Sequence, residues 1–362
     1  MSAPIITTQN WQPEAYDLVI DVRAPIEFAE DHIVGAVNMP VLSDIEREEI
    51  GTLYKQVSPF AARKRGAALV SQNIAHHLQT ALQDYPTDFS PLIHCWRGGQ
   101  RSRAFAHILS EVGWRCHLLE GGYKAYRRDI LDRLDIDFNE LTLIIIAGRT
   151  GSAKTDILGE INKKGGQILD LEGLAHHRGS LLGRWPDSPQ PTQRFFESNL
   201  IDKVRQFDLS KPVYVESESS RIGNLQLPSC LWRLMTRSPM ITIEAPVAAR
   251  AHYLLGGYHH LLTDKTDMIK LIKGMRHRHG VAITQNWQAF FDAEDWLELA
   301  KALLTAMTLH PRFHAYYGWD DLTNDLTAVV EEVQEPCGPA AGERSAPHLT
   351  SIPRAKGPVT WG

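Results

Sequence analysis

The sequence has few cysteines and no long apolar run. Its four cysteines contain no pair separated by two residues, which argues against a disulfide framework or a cysteine-rich zinc site and favours a reducing compartment. The longest apolar run, residues 141–147, is far shorter than the ~20 residues that span a membrane. The start of the chain has no basic segment followed by an apolar stretch, so we expect no secretory signal. These absences predict a cytoplasmic protein without a metal site or membrane segment.

The composition is that of an ordinary folded protein. Of its 362 residues, 43% are hydrophobic and 22% charged, and the net charge is −5. This excludes a collagen-like or wholly disordered chain, and the mild acidity argues against nucleic-acid affinity over the whole surface. A local basic face stays open as an alternative. The length predicts two domains, each large enough to bury a core.

Short β-rich runs alternate with helical stretches, which is typical of parallel α/β architecture. The predicted strands are residues 16–22, 91–95, 115–119, 141–147, 213–216 and 240–243. The predicted helices are residues 101–112, 126–140, 264–278 and 287–307. We therefore expect an α/β protein with domains at 1–135 and 136–334. The tail at 335–362 is rich in Pro, Gly, Ala and Ser and is predicted to be disordered.

A cysteine lies between a predicted strand and a predicted helix. At that position a thiol meets converging backbone N–H groups and the positive end of a helix dipole, which lower its pKa and bind a tetrahedral anion. The candidate nucleophile is Cys95, and the candidate anion loop comprises Arg97, Gly98, Gly99, Arg101 and Ser102.

Four separated motifs support a family resemblance for the first domain. Residues 21–28, 32–38, 94–102 and 120–123 together resemble the rhodanese domain, over about residues 14–128. The resemblance implies a parallel sheet and the transfer of sulfur or selenium through Cys95. Arg101 follows Cys95 by six positions, whereas common sulfurtransferase loops have five. Because that spacing also fits cysteine-dependent phosphatases, phosphatase and generic sulfurtransferase activities both stay open.

A second loop follows the apolar strand at 141–147 and has the order of a P-loop. Its backbone amides and lysine would hold a diphosphate, and its last hydroxyl would bind Mg²⁺. Ala153 replaces the usual glycine, at a cost of about 1 kcal/mol if that position needs positive φ. The candidate phosphate-binding residues are Gly148, Thr150, Gly151, Ser152, Lys154 and Thr155, and the candidate acidic or substrate-contacting residues are Glu216, Glu218 and Arg178.

Further motifs narrow the resemblance. Residues 95–99, 121–127, 171–180, 190–197 and 218–223 resemble the tRNA 2-selenouridine synthase family, over about residues 14–305. That resemblance implies that wobble 2-thiouridine in tRNA is first S-alkylated with geranyl diphosphate. Selenium from selenophosphate then displaces the S-geranyl group, with Cys95 as the selenium carrier. The second loop is then a diphosphate cradle in a P-loop NTPase-like α/β domain, and no tightly bound cofactor is expected.

A tRNA substrate requires a basic surface. The favoured cluster has helical spacing and comprises Lys270, Lys273, Arg276 and Arg278. An enzyme that supplies selenophosphate is a further expected partner, and a monomer is favoured. A non-enzymatic, nucleotide-regulated adaptor is the remaining alternative.

Overall fold

The computed structural model describes residues 2–178, 185, 188–257 and 265–308. Its first unit is built on a five-stranded sheet in the order β1-β5-β4-β2-β3, and every pairing in it is parallel. The strands are β1 (Ile5–Thr8), β2 (Val19–Asp21), β3 (Val37–Asn38), β4 (Leu92–His94) and β5 (Cys116–Leu119). The helices are α1 (Pro25–Glu30), α2 (Asp44–Gln56), α3 (Pro59–Gln79), α4 (Gln100–Val112) and α5 (Gly122–Ile136).

The second unit has a four-stranded parallel sheet in the order β11-β6-β8-β7 and a small antiparallel hairpin, β9-β10. The strands are β6 (Leu143–Gly148), β7 (Gln167–Leu169), β8 (Val213–Glu216), β9 (Arg221–Ile222), β10 (Leu225–Gln226) and β11 (Met240–Ile243). The helices are α6 (Lys154–Lys163), α7 (Leu171–Leu174), α8 (Gln193–Val204), α9 (Ser229–Met235), α10 (Val247–Gly257), α11 (Lys265–His279), α12 (Val281–Asp292) and α13 (Trp296–Thr308).

All six predicted strands are present in some part of their length, because runs of β-branched and apolar residues are buried on both faces of a parallel sheet. One helix prediction was wrong. Residues 287–307 do not form one helix, since α12 ends at Asp292 and α13 begins at Trp296. Glu294 between them has a φ of 56°, which a continuous right-handed helix does not allow. The predicted tail at 335–362 lies outside the described residues.

One hydrophobic core joins the two units. Helix α5 contributes Tyr123, Tyr126, Ile130 and Leu134, spaced three or four residues apart, so they lie on one face. The same buried cluster contains side chains from β4 and β5 of the first sheet and from β6, β8 and α8 of the second. The predicted boundary near residue 135 falls inside α5, at the end of this shared face.

Polar contacts reinforce the junction at the start of α8. The Ser198 hydroxyl donates to Asp31 Oδ1 at 2.8 Å, and the ring of Phe195 stacks on that of His32. Arg194 pairs with Glu30 at 2.7 Å, and the Thr192 hydroxyl donates to the Glu30 carbonyl. The sequence motif at 190–197 therefore marks the place where the second unit contacts the first.

Candidate functional site

The loop after β4 is held by the backbone that begins α5. The Tyr123 N–H donates to the Cys95 carbonyl at 2.8 Å, and the Lys124 N–H donates to the Trp96 carbonyl at 3.0 Å. Gly122, at φ 59°, approaches so closely that a Cβ there would lie 2.3 Å from the Cys95 carbonyl oxygen. Gly98, at φ 66°, makes the turn that leads into α4. The loop geometry thus depends on two glycines far apart in the sequence.

Cys95 is 3% exposed, and its sulfur receives hydrogen bonds from the residues that follow it. The Gly99 N–H and the Ser102 hydroxyl each donate to its sulfur at 3.2 Å. Burial acts to raise the pKa of Cys95, but the hydrogen bonds from Ser102 and Arg97 and the charge of Arg101 outweigh it and hold the pKa below 9.0. Cys116 shows the contrast, since burial alone raises its pKa to about 12. The predicted nucleophile therefore lies in a loop that stabilises its thiolate.

A carboxylate that the sequence analysis did not single out positions the loop arginine. Arg101 Nη1 donates to Glu27 Oε2 at 2.8 Å, and Arg47 Nε lies 2.9 Å from the same oxygen. Burial acts to raise the pKa of Glu27, but these guanidinium groups outweigh it and lower that pKa below its usual range. Arg97 has an exposed side chain and contributes its backbone N–H to the thiolate. Glu27 stands in the motif at 21–28, whereas no sequence signal indicated Arg47.

Behind the loop, a fully buried network fixes the turn into α5. The Arg23 guanidinium donates to both carboxylate oxygens of Asp21 and to the Asp31 carbonyl, and it stacks 4.0 Å from the centroid of the Tyr123 ring. The Tyr123 hydroxyl donates to Asp31 Oδ2 at 2.8 Å. Burial raises the pKa of Asp31 despite its hydrogen bonds to Tyr123 and Ser198. Asp31 thereby links the turn that clamps the Cys95 loop to α8.

The predicted phosphate loop connects β6 to α6. Ala153 lies immediately before α6 with φ 59° and ψ 27°, so the position of the missing glycine does have the left-handed conformation. Lys154 Nζ donates to the Gly148 carbonyl at 3.0 Å, which places the ammonium over the loop. A Cβ at Gly148 would lie 2.3 Å from Ser152 Oγ. That oxygen is buried and has no hydrogen-bond partner among the described residues.

A buried arginine supports this loop from α10. Arg250, only 2% exposed, donates to the carbonyls of Thr150 and Ala245, each at 3.1 Å. Burial and the nearby charge of Arg149 lower the pKa of Arg250. A single arginine in a helical stretch carries no sequence signal, so this contact was not predicted.

The acidic end of β8 lies next to the phosphate loop, because β8 pairs with β6. Glu216 Oε1 accepts from the Glu172 N–H at 2.6 Å, and Glu172 Oε2 accepts from the Thr155 hydroxyl at 3.2 Å. Burial and the charge of Asp170 raise the pKa of Glu216 well above 4.5. Burial and Glu172 raise the pKa of Glu218 to about 8, with Lys154 opposing them.

The remaining candidate residues are Arg178 and the basic residues of α11. Arg178 lies near Tyr253 of α10, which hydrogen-bonds Asp156 of α6. Helix α11 exposes all four basic residues of the favoured tRNA cluster and buries Met268, Ile272 and Met275 on its other face.

Within the described ranges, no three His, Cys, Asp or Glu side chains converge as a metal site requires. No helix in those ranges has the length and apolar character needed to cross a membrane.

Comparisons with known proteins match both units. Residues 7–129 match the rhodanese-like domain, and residues 141–289 match the tRNA 2-selenouridine synthase AAA domain. The relatives similar to this chain include three proteins named tRNA 2-selenouridine synthase. The relative from Nitrosomonas europaea is 37% identical over 244 residues (66% of this chain, 63% of the relative), and that from Bdellovibrio bacteriovorus is 38% identical over 246 residues (66% and 64%). The relative from Psychromonas ingrahamii is 33% identical over 273 residues (75% and 70%).

The alignments with the first two relatives thus span less than two thirds of their length. With the third, the chain covers more than two thirds of the relative. The two domain matches follow one another in the order of the two sheets. This chain belongs to the tRNA 2-selenouridine synthase family.

Proposed function

We propose that this chain converts wobble 2-thiouridine in tRNA to 2-selenouridine. In the first step, geranyl diphosphate alkylates the sulfur. In the second, selenophosphate bound at Cys95 passes its phosphoryl group to water, and the selenide that this releases at Cys95 displaces the S-geranyl group as geranylthiolate. The observation that supports this most is the Cys95 loop, in which a buried thiol with a lowered pKa receives two hydrogen bonds beside Arg101.

The two steps have a chemical logic. A thiocarbonyl sulfur is a poor leaving group, and S-alkylation turns it into a good one. Selenophosphate is a tetrahedral anion, which suits a ring of backbone amides at the start of a helix. Gly99 and the residues that begin α4 supply such a ring around the sulfur. The lowered pKa of Cys95 increases the fraction of the thiolate, which is the reactive form of a cysteine.

The phosphate loop would hold the diphosphate of the alkyl donor. Lys154 already lies over the loop through its bond to the Gly148 carbonyl, so its ammonium is placed to stabilise departing pyrophosphate. A Mg²⁺ ion would supply further positive charge, held by diphosphate oxygens and the Thr155 hydroxyl, since oxygen donors suit this ion. Pyrophosphate release needs no γ-phosphate hydrolysis geometry, which makes Ala153 tolerable in this role.

The expected partners follow from the proposed reaction. The substrate is tRNA, the exposed basic face of α11 is the proposed contact with its phosphates, and an enzyme that makes selenophosphate supplies the selenium donor. We further propose that the protein acts in the cytoplasm, as a monomer.

Mass spectrometry of tRNA nucleosides tests the proposal. The full chain is incubated with 2-thiouridine tRNA, geranyl diphosphate and selenophosphate, and wild type is compared with Cys95→Ala and Lys154→Ala. We expect the cysteine variant to form the S-geranyl nucleoside but no selenouridine. The lysine variant should lose geranylation and still exchange selenium into RNA that was alkylated beforehand. Selenium incorporation by Cys95→Ala would contradict the proposal.

A cysteine-dependent phosphatase is the second candidate, favoured by the six-position spacing from Cys95 to Arg101. It predicts hydrolysis of a generic aryl phosphate by wild type and loss of that activity in Cys95→Ser. The proposed selenotransferase should show no such hydrolysis.

A further inference from the structure

Three glutamates lie near the start of α6. Glu216 Oε1 accepts from the Glu172 N–H at 2.6 Å, and Glu172 accepts from the Thr155 hydroxyl at 3.2 Å. Glu218, two residues beyond the end of β8, contacts the Glu172 side chain and is close enough to Lys154 to feel its charge. Of the three, Glu218 is the carboxylate whose pKa responds to the ammonium that we assign to the pyrophosphate.

Two buried oxygens mark this place as an incomplete site. Glu216 Oε2, on a residue only 1% exposed, has no hydrogen-bond partner within the described part of the chain, and the same holds for Ser152 Oγ in the phosphate loop. Buried polar atoms without partners cost free energy and are rare in folded proteins. They indicate that a polar ligand completes the site. Ionised carboxylates repel a diphosphate, so that anion is assigned to Lys154 and the loop amides rather than to these side chains.

The alkylation step requires a proton acceptor. The sulfur at C2 of the base forms a bond to C1 of the geranyl chain while the C1–O bond breaks, and that bonding pair leaves with pyrophosphate. The S-alkyl base is neutral only if N3 loses its hydrogen. A group within hydrogen-bond reach of N3 must take this proton while pyrophosphate departs.

We propose that Glu218 is the catalytic base that accepts the N3 proton during S-alkylation, an inference that rests on the proposed function. Glu172 is engaged by Thr155, and Glu216 is fixed within β8 by the backbone of Glu172. Glu218 lies past the strand end and beside Lys154. The side chain that stabilises the leaving pyrophosphate and the side chain that takes the proton are then neighbours.

The surroundings of Glu218 suit this role. Burial and the carboxylate of Glu172 from α7 raise its pKa to about 8, and the ammonium of Lys154 from α6 opposes them. A general base works best when its pKa lies near the pH at which the enzyme operates. Since only the carboxylate form accepts a proton, the alkylation rate should rise with pH and level off above pH 8.

Single-turnover alkylation of a 2-thiouridine stem-loop RNA tests the assignment. The full chain is mixed with geranyl diphosphate from about pH 6 to about pH 9, and wild type is compared with Glu218→Gln. We expect alkylation at pH 8 to slow by about 100-fold and the plateau to disappear, with geranyl diphosphate affinity unchanged. Glu218→Asp should keep a plateau at a reduced rate. Glu160→Gln, at a partly exposed position of α6 where it pairs with Lys163, is the matched control and should behave as wild type.

Selenium exchange into RNA that was geranylated beforehand provides the second measurement. Glu218→Gln should retain this exchange, which shows that the variant is folded and that its defect is confined to alkylation. Alkylation at the wild-type rate, or an equal loss of both steps in both Glu218 variants, would overturn the assignment. Wild type that forms no S-geranyl product would instead overturn the proposed function, and that result is seen without any Glu218 variant.

Discussion

The Cys95 loop and the phosphate loop both lead from a parallel strand into a helix. They differ in how many of their own polar groups have hydrogen-bond partners. Around Cys95, the sulfur, the loop carbonyl and Arg101 all have partners, and the buried groups without a described hydrogen bond are the ring nitrogens of His94, at the end of the preceding strand. In the phosphate loop, Ala153 has a left-handed conformation and Ser152 Oγ is buried without a described partner. The first loop is thus organised before any ligand binds. The second has polar groups and local strain that a bound anion would offset.

The largest effect is expected where the cysteine loop is clamped. Gly122→Ala would put a Cβ 2.3 Å from the Cys95 carbonyl oxygen at a φ of 59°. Overlap and backbone strain together should lower the free energy of unfolding by about 3 kcal/mol. Urea denaturation measures it. Gly159→Ala is the control, because its Cβ in α6 would meet nothing within 4 Å, and it should raise stability slightly. If Gly122→Ala and Gly159→Ala changed the free energy of unfolding equally, the close approach of Gly122 to the Cys95 loop would not contribute to stability.

The next effect concerns the chemistry of the thiol. Ser102→Ala removes a hydrogen bond to the sulfur, so the pKa of Cys95 should rise and the thiolate fraction at neutral pH should fall. Because hydrogen bonds to charged groups contribute about 1.5–3 kcal/mol, we expect iodoacetamide to react with Cys95 about tenfold more slowly at pH 7. The wild-type rate should level off at lower pH than that of the variant.

Ser110→Ala is the matched control, since Ser110 lies at the far end of α4 and donates to the His107 carbonyl. An unchanged pH profile in Ser102→Ala would show that the helix dipole and Arg101 are sufficient to lower the pKa of Cys95.

Strain in the phosphate loop gives a smaller effect of opposite sign. Ala153→Gly should increase the free energy of unfolding by about 1 kcal/mol, because glycine adopts φ 59° without a steric penalty. Thermal unfolding of the ligand-free protein measures it. The same substitution at exposed Ala68 within α3 should lower stability by about the same amount. Destabilisation at both sites would mean that Ala153 is not strained.

The smallest effect lies away from both loops. If α11 contacts tRNA phosphates, Lys273→Gln should reduce the slope of log affinity against log salt by about 0.9 for the lost contact. Filter binding across a salt series measures the slope. Lys163→Gln, on the exposed surface of α6, should leave it unchanged. Identical slopes for wild type, Lys273→Gln and Lys163→Gln would exclude Lys273 from the tRNA interface. The contacts with tRNA phosphates would then have to be sought at the two loops.

Much of this architecture could be predicted because it depends on local sequence. Strand β8 was predicted at its observed bounds, since an apolar run that ends in a charged residue marks a buried strand and its end. The Cys95 loop was predicted because its glycines, its arginine and its hydroxyl are adjacent in the chain. Motif order along the sequence likewise predicted two successive units with parallel sheets.

The missed residues act through contacts between distant segments. Arg47 meets Glu27 only because α2 packs beside α1, and Arg250 supports Thr150 across 100 positions of sequence. Asp31 falls between the motifs at 21–28 and 32–38 and was not singled out, because its partners Tyr123 and Ser198 come from helices α5 and α8. Such partners become apparent only when the fold brings them together.

The shared core has a consequence for dividing the molecule. Cleaving the chain near residue 135 would cut α5 at the end of its apolar face and expose Phe138, Phe196 and Leu143 from one fragment and Tyr126 from the other. Neither fragment would then retain an intact interior. Heating the whole protein should accordingly melt both sheets in a single cooperative transition, so the Cys95 loop and the phosphate loop would lose their structure together.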